Sequence, residues 1–240
     1  MYPIFNSNKI LGAINDESSK KLEVDFAQAF NKEDMQLKEF TQGGAYCNTE
    51  KYLYITGGQE TQKGISKLFL RITVNEIDQK VKLVKMPMMN YSHWNHSMIS
   101  SNNYIFVIGG YSSNICECFN LRNLKWEKMF DLNCKERQRC MLVIYKEYLY
   151  AFMGYSQYEI LDSVERININ NNILVNRWEN INISNEYYLN LKFFGSGIYS
   201  YEDDLYFIGG KISHVDKLSD YKNEIYNFNF NKMGFNDSKI

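Results

Sequence analysis

His93, His96, Cys116 and Cys118 stand close together in the chain and are of the residue types that hold zinc. Their spacing argues against that chemistry. Residues three apart on a strand point to opposite faces, so His93 and His96 do not turn toward one ion. Cys116 and Cys118 share a face, but zinc sites use a wider spacing such as Cys-x2-Cys. These side chains are read as packing and hydrogen-bonding groups, with no metal and no cofactor. Nucleophilic catalysis would need a Ser or Cys beside a base and an orienting acid. The chain has 3 histidines, none in a Gly-x-Ser-x-Gly context and none matched to a particular cysteine. Its glycine pairs end strands and open no helix, so neither a phosphate-cradling loop nor a dinucleotide fingerprint is present. No catalytic residue is assigned, and the chain is expected not to be an enzyme.

Composition removes further classes. Over 240 residues the net charge is −1, with a pI near 6.3, so no basic field points to nucleic acid or an anionic membrane. No apolar run approaches the roughly 18 residues of a membrane span. Hydrophobic residues at 45% and aromatics at 15% are too many for a disordered chain. The 5 cysteines are scattered, and the N-terminal residues lack a secretory apolar region. That combination suggests free thiols in a reducing compartment, and a cytoplasmic protein.

The elements that position these residues repeat. Leu53–Gly58, Ile105–Gly110, Leu149–Gly154 and Leu205–Gly210 match column by column as a hydrophobic strand ending at glycine. Positions 57, 109, 153 and 209 in that register are 52, 44 and 56 residues apart. Such a period signals supersecondary units that bury their faces against neighbours. The second repeat reads as strands at 96–101, 104–108, 116–121 and 125–129, with turn residues at Ser101-Asn102-Asn103 and Arg122-Asn123. Third strands of the other repeats are expected at 67–73, 163–169 and 224–230, and fourth strands at 81–86 and 177–181. The segments 10–14, 21–26 and 36–40 read as the last three strands of a further, partial unit, and 28–35 could form one helical turn. Residues 233–240 offer no fourth strand. The apolar columns run continuously or at period two, which excludes a helical solenoid and describes β-propeller blades.

On these residues the chain resembles the kelch repeat family. The second repeat carries most of its marks: His96, where such repeats often have histidine, then Tyr104, Gly109, Gly110, Phe119, Asn120 and Trp126. The third keeps Gly154, Tyr155 and Trp178 but has Met153 for the first glycine, while the first and fourth keep the glycine pair and lack the Trp. The resemblance implies an all-β, kelch-type β-propeller of about five four-stranded blades. It forms one domain over residues 1–240, with repeats near 1–40 (partial), 41–88, 89–132, 133–184 and 185–240. Kelch propellers commonly share one blade between the chain ends, so residues 1–5 would supply the missing strand of the last blade. Otherwise the chain is incomplete, a piece of a larger polypeptide, with open strand edges. Trp126 and Trp178 are read as wedges between blades, and the cluster Met86, Met88 and Met89 as packing.

In a four-stranded antiparallel blade, the loop between the second and third strands and the connection to the next blade emerge on one face. That face gathers Tyr91, His93, Trp94, Tyr111, Arg137, Tyr155, Tyr158, Tyr187 and Tyr188. Tyr, Trp and Arg are enriched at binding hot spots, and scaffold loops are where function usually sits. The expected function is that of a non-enzymatic scaffold or adaptor module. It captures a protein partner through Tyr91, His93, Tyr111, Arg137, Tyr155, Tyr158, Tyr187 and Tyr188, with Arg137 and Lys135 tuned to an acidic segment. The resemblance also admits a kelch-type enzyme or sugar-binding propeller with a site at the central axis. That site would be built from a Tyr/His metal cluster or a charged pocket; His214 is expected on a loop and Tyr residues are plentiful, but no such constellation stands out.

Overall fold

Each glycine-ended apolar run becomes the second strand of a four-stranded antiparallel sheet; Ile105–Ile108 and Leu149–Phe152 are buried throughout, whereas Ile208 of the last run is exposed. The computed structural model describes residues 4–6, 9–12, 22–25, 42–60, 64–74, 81–170, 172–183, 192–212 and 224–236. It divides into two units, Met1–Trp94 and Asn95–Ile240.

In the first unit, β1 (Ile4–Asn6), β2 (Lys9–Gly12) and β3 (Leu22–Asp25) form a three-stranded antiparallel sheet in that order. The first blade follows, from β4 (Ala45–Asn48), β5 (Leu53–Thr56), β8 (Phe69–Val74) and β9 (Val81–Lys85). Between β5 and β8 lies a small hairpin of β6 (Gln59–Glu60) and β7 (Gly64–Ile65). Ile55, Leu70 and Ile72 form the core of this unit, and Met89 is buried while Met88 is exposed.

The second unit holds three blades in chain order. The second blade is β10 (Ser97–Ser100), β11 (Tyr104–Gly110), β12 (Ser113–Asn120) and β13 (Lys125–Lys128). The third is β14 (Met141–Tyr145), β15 (Tyr148–Phe152), β16 (Val164–Asn168) and β17 (Glu179–Ile181). The fourth is β18 (Gly197–Tyr201), β19 (Asp204–Ile208), β20 (Ile225–Asn229) and β21 (Gly234–Phe235). Strand alternation gives the third blade two different faces. Leu142, Leu149, Ala151, Ile167 and Trp178 meet Phe106, Ile108, Cys116 and Cys118 of the second blade. Met141, Val143, Tyr150 and Phe152 meet Phe207, Phe228 and Phe235 of the fourth, with Phe152 edge-on to Phe228 at 5.1 Å.

The fold class is all-β and that of a β-propeller, and the described residues form four four-stranded blades rather than about five. Two physical reasons account for the difference. The N-terminal segments pair among themselves, Ile4 with Leu11 and Leu11 with Glu23, as a three-stranded sheet. The last blade also needs no strand from residues 1–5. It completes itself with β21, whose two residues pair with Phe228 and Asn229. The helical turn expected at 28–35 and the strand expected at 36–40 lie outside the described residues. Among the described residues, no helix is long and apolar enough to cross a membrane.

Two backbone features recur with the repeat. The glycine that ends each run, Gly58, Gly110, Gly154 and Gly210, has φ of 95°, 131°, 98° and 109°. A left-handed residue also precedes the first strand of each blade: Gly43, Asn95, Arg139 and Gly195, spaced by the same 52, 44 and 56 residues. In the second unit these residues are chained across blades. Arg139 N–H donates to the Asn95 carbonyl at 2.9 Å, and Gly195 N–H to the Arg139 carbonyl at 3.4 Å.

Candidate functional site

The chain from β13 to β14 carries the run Lys135-Glu136-Arg137-Gln138-Arg139. It passes over the glycine ends of two blades. Gly110 N–H donates to the Arg137 carbonyl at 2.9 Å, and Gln138 exchanges backbone bonds with Tyr155 at 2.8 and 3.0 Å. A Cβ on Gly109 would collide with the Arg137 carbonyl oxygen, and one on Gly154 with that of Gln138. The glycines therefore serve close backbone approach as well as positive φ. The run is fixed against the second and third blades at once.

Its side chains then part ways. The Glu136 carboxylate is buried at 8% exposure, and it accepts from three donors. Oε1 takes Ser112 N–H at 2.8 Å and Gln138 Nε2 at 2.7 Å, while Oε2 takes Gln157 N–H at 3.1 Å. Ser112 lies in the turn between β11 and β12, and Gln157 in the loop between β15 and β16. One carboxylate thus ties loops of two blades, and Gln157 Nε2 donates to Ser112 Oγ across the same gap. Arg137 turns the other way, into the third blade. Its Nη1 donates to the carbonyls of Met153 at 2.6 Å and Ser163 at 3.0 Å. Its Nη2 donates to Ser163 Oγ at 2.8 Å and Glu165 Oε1 at 2.9 Å. Glu165 also accepts from the backbone N–H of Asn133 at 2.6 Å and Cys134 at 3.4 Å. Gln138 Oε1 accepts from Asn95 Nδ2, which also donates to the Tyr155 hydroxyl. Arg139 donates Nε and Nη2 to Asn95 Oδ1.

Tyr158 is 89% exposed and Tyr111 39% exposed, each on one of the two loops that Glu136 ties. Tyr155 is half-buried, its ring 4.5 Å from that of Phe194, and burial pushes its hydroxyl pKa up. Arg137 is wholly buried, so it cannot meet a partner. Its charge is spent on Glu165 and on backbone carbonyls, while Lys135 and Arg139 of the same run are exposed. Tyr91 and His93 belong to the first unit, with Tyr91 half-buried and His93 buried. The His93 backbone accepts from Gly58 N–H at 2.8 Å, the same step that Arg137 takes with Gly110. Tyr187 and Tyr188 lie outside the described residues. The structure thus brings Tyr111, Tyr155, Tyr158 and the backbone of Arg137 to one edge of the second unit.

Sequence reasoning missed Glu136, Glu165, Asn95, Gln138 and Arg139. The five-residue polar run was a signal for the three of them that it contains, Glu136, Gln138 and Arg139, since a connection so polar must find partners or water. Nothing local marked Glu165, which sits 28 residues downstream within a strand. The five cysteines are free thiols. Among the described residues, no group of three or more His, Cys, Asp or Glu side chains is arranged to hold a metal ion.

Residues 95–132 match the family model of the Kelch motif, a span that contains all four strands of the second blade and its left-handed Asn95. No curated protein matches the chain.

Proposed function

We propose that this protein is a non-enzymatic interaction module that captures a protein partner through the edge carrying Tyr111, Tyr155 and Tyr158. The observation that carries this reading is the pairing of exposure with rigidity. Tyr158 and Tyr111 offer large amphipathic rings to solvent, while the loops beneath them share the Glu136 carboxylate. Loops held this way lose little backbone freedom on binding, and tyrosine adds large contact area at low side-chain entropy cost. The Kelch match and the propeller fold are consistent with an interaction module.

The partner segment is acidic in this reading; Lys135 keeps its part, and Arg139 takes the one first given to Arg137. Arg139 commits Nε and Nη2 to Asn95, which fixes the plane of an exposed guanidinium beside the Tyr155 hydroxyl. A planar, oriented guanidinium suits a carboxylate. The test is affinity capture from native extract with wild type, with Tyr111→Ala/Tyr158→Ala, and with Tyr201→Ala as an exposed control on β18. The expected result is a partner retained by wild type and by Tyr201→Ala but lost by the double variant. Equal capture by all three folded proteins would overturn the assignment.

A further inference from the structure

We propose that Glu136 is the positioning residue of this edge, presetting the separation of the loops that carry Tyr111 and Tyr158; this rests on the reading of those loops as the binding face. Ser112 and Gln157 are both exposed, and the N–H of each is directed at a different oxygen of one carboxylate. Charge-assisted bonds to a buried carboxylate are the stronger kind, and the acceptor itself is held by Gln138 Nε2. Gln138 is anchored in turn through Asn95 and through its backbone pairing with Tyr155. The result is a relay from the interior of the second unit to two loop tips that do not otherwise share a strand. Ser112 takes φ of 50°, an unfavourable value for a serine, and the Glu136 bond holds that turn in place.

The role differs from that of the neighbouring Arg137. Arg137 secures the body of the third blade, through Met153, Ser163 and Glu165. Glu136 reaches no strand core, and its partners are loop amides and one loop-facing amide side chain. Removing it is therefore expected to loosen the loops while leaving the blades intact.

Residue-resolved amide hydrogen exchange on the full chain tests this, with Glu136→Gln and Glu136→Ala as variants. In wild type the amides of Ser112 and Gln157 are expected to be protected in spite of their exposed residues. In both variants they should exchange about tenfold faster or more, as loss of a bond to a charged acceptor implies. The amides of Cys118 and Ile167, inside β12 and β16, should not change. Unchanged exchange at Ser112 and Gln157 would overturn the proposal. So would acceleration spread equally over Cys118 and Ile167, which would make Glu136 a general stability residue; Glu136→Gln, close in shape, keeps that outcome readable if Glu136→Ala unfolds. Capture with Glu136→Gln separates this proposal from the reading beneath it. Faster loop exchange with partner capture lost supports both. Faster loop exchange with capture retained leaves the clamp standing and overturns the binding role of the two loops.

Discussion

The Nη2 atom of Arg137 lies 2.9 Å from Oε1 of Glu165, and neither side chain has any exposure to solvent. Such a pair depends on good geometry and on further hydrogen bonds to its remaining donors and acceptors, since desolvating two charges costs roughly several kcal/mol per ion. Here Met153, Ser163, Asn133 and Cys134 supply most of those partners, while Arg137 Nε has none among the described residues. The pair links the connection ahead of β14 to β16, so it locks the entry of the third blade to its own interior.

Breaking the pair from one side strands a buried charge. Arg137→Met or Glu165→Gln is expected to lower unfolding stability by about 3–5 kcal/mol. The double variant should cost clearly less than the sum of the two single changes, because neither partner is left charged and alone. Denaturant unfolding of the four proteins measures this. Additive losses, or single losses under about 1 kcal/mol, would mean that the buried geometry contributes no coupling.

The glycine positions separate strain from collision. Gly64 has φ of 85° with open space around its Cβ position, so Gly64→Ala meets strain alone, about 1 kcal/mol. Gly154 has φ of 98°, and its Cβ would also strike the Gln138 carbonyl and approach Cys140. Gly154→Ala is therefore expected to cost about 2–4 kcal/mol, the strain plus a displaced connection. Equal unfolding midpoints for the two variants would refute the close-approach account.

Much of this fold was legible because its signals are local. Turn residues at Asn102-Asn103, a glycine stop at 109–110 and an apolar run at 105–108 each lie inside a few residues, and the strands followed within one to three positions. β21 was not legible: two residues carry no periodicity, and their pairing with β20 is decided by the blade they join. At the candidate site, the exposure of Tyr111 and Tyr158 on loops was legible because loop aromatics announce themselves by type and place. Arg137 was misplaced for the opposite reason. A charged residue in a connection reads as solvated, and its burial depends on Glu165, which no local pattern ties to it. The network of Glu136 is of the same kind, built from contacts 21 and 24 residues away.

The two tryptophans of the repeat are not equivalent. Trp178 is buried between the second and third blades, and its Nε1 donates to the Phe130 carbonyl at 3.0 Å. Trp126 is half-buried and leans on Phe119 at 5.2 Å. Trp178→Ala is expected to cost about 3–5 kcal/mol through the cavity it opens. Trp126→Ala should cost about half of that or less, since part of its surface already faces water. A larger loss at Trp126 would reverse the assignment of Trp178 as the wedge of this unit.

The buried thiols give the protein an alkaline limit with a definite sign. Burial first, then the charges of Glu127 and Glu117, push Cys118 from 9.0 up to about 12. Burial likewise takes Cys134 to about 11, with Arg137 acting against the rise and Glu165 with it. A thiol whose folded pKa is raised favours the folded state fully while both states keep the proton, that is, below about pH 9. As the pH climbs from there toward 11, the unfolded thiol ionises and the folded one does not, so this contribution is lost progressively. Unfolding midpoints are therefore expected to fall between pH 8 and pH 10.5, and to fall less in Cys134→Ala, which lacks one of the titrating groups. At pH 8 the folded chain should also react slowly with a thiol-specific reagent, and unfolding should make all 5 cysteines reactive together. An identical alkaline drop in wild type and Cys134→Ala would assign the effect to other groups, and rapid labelling of the folded protein at pH 8 would contradict the raised thiol pKa values.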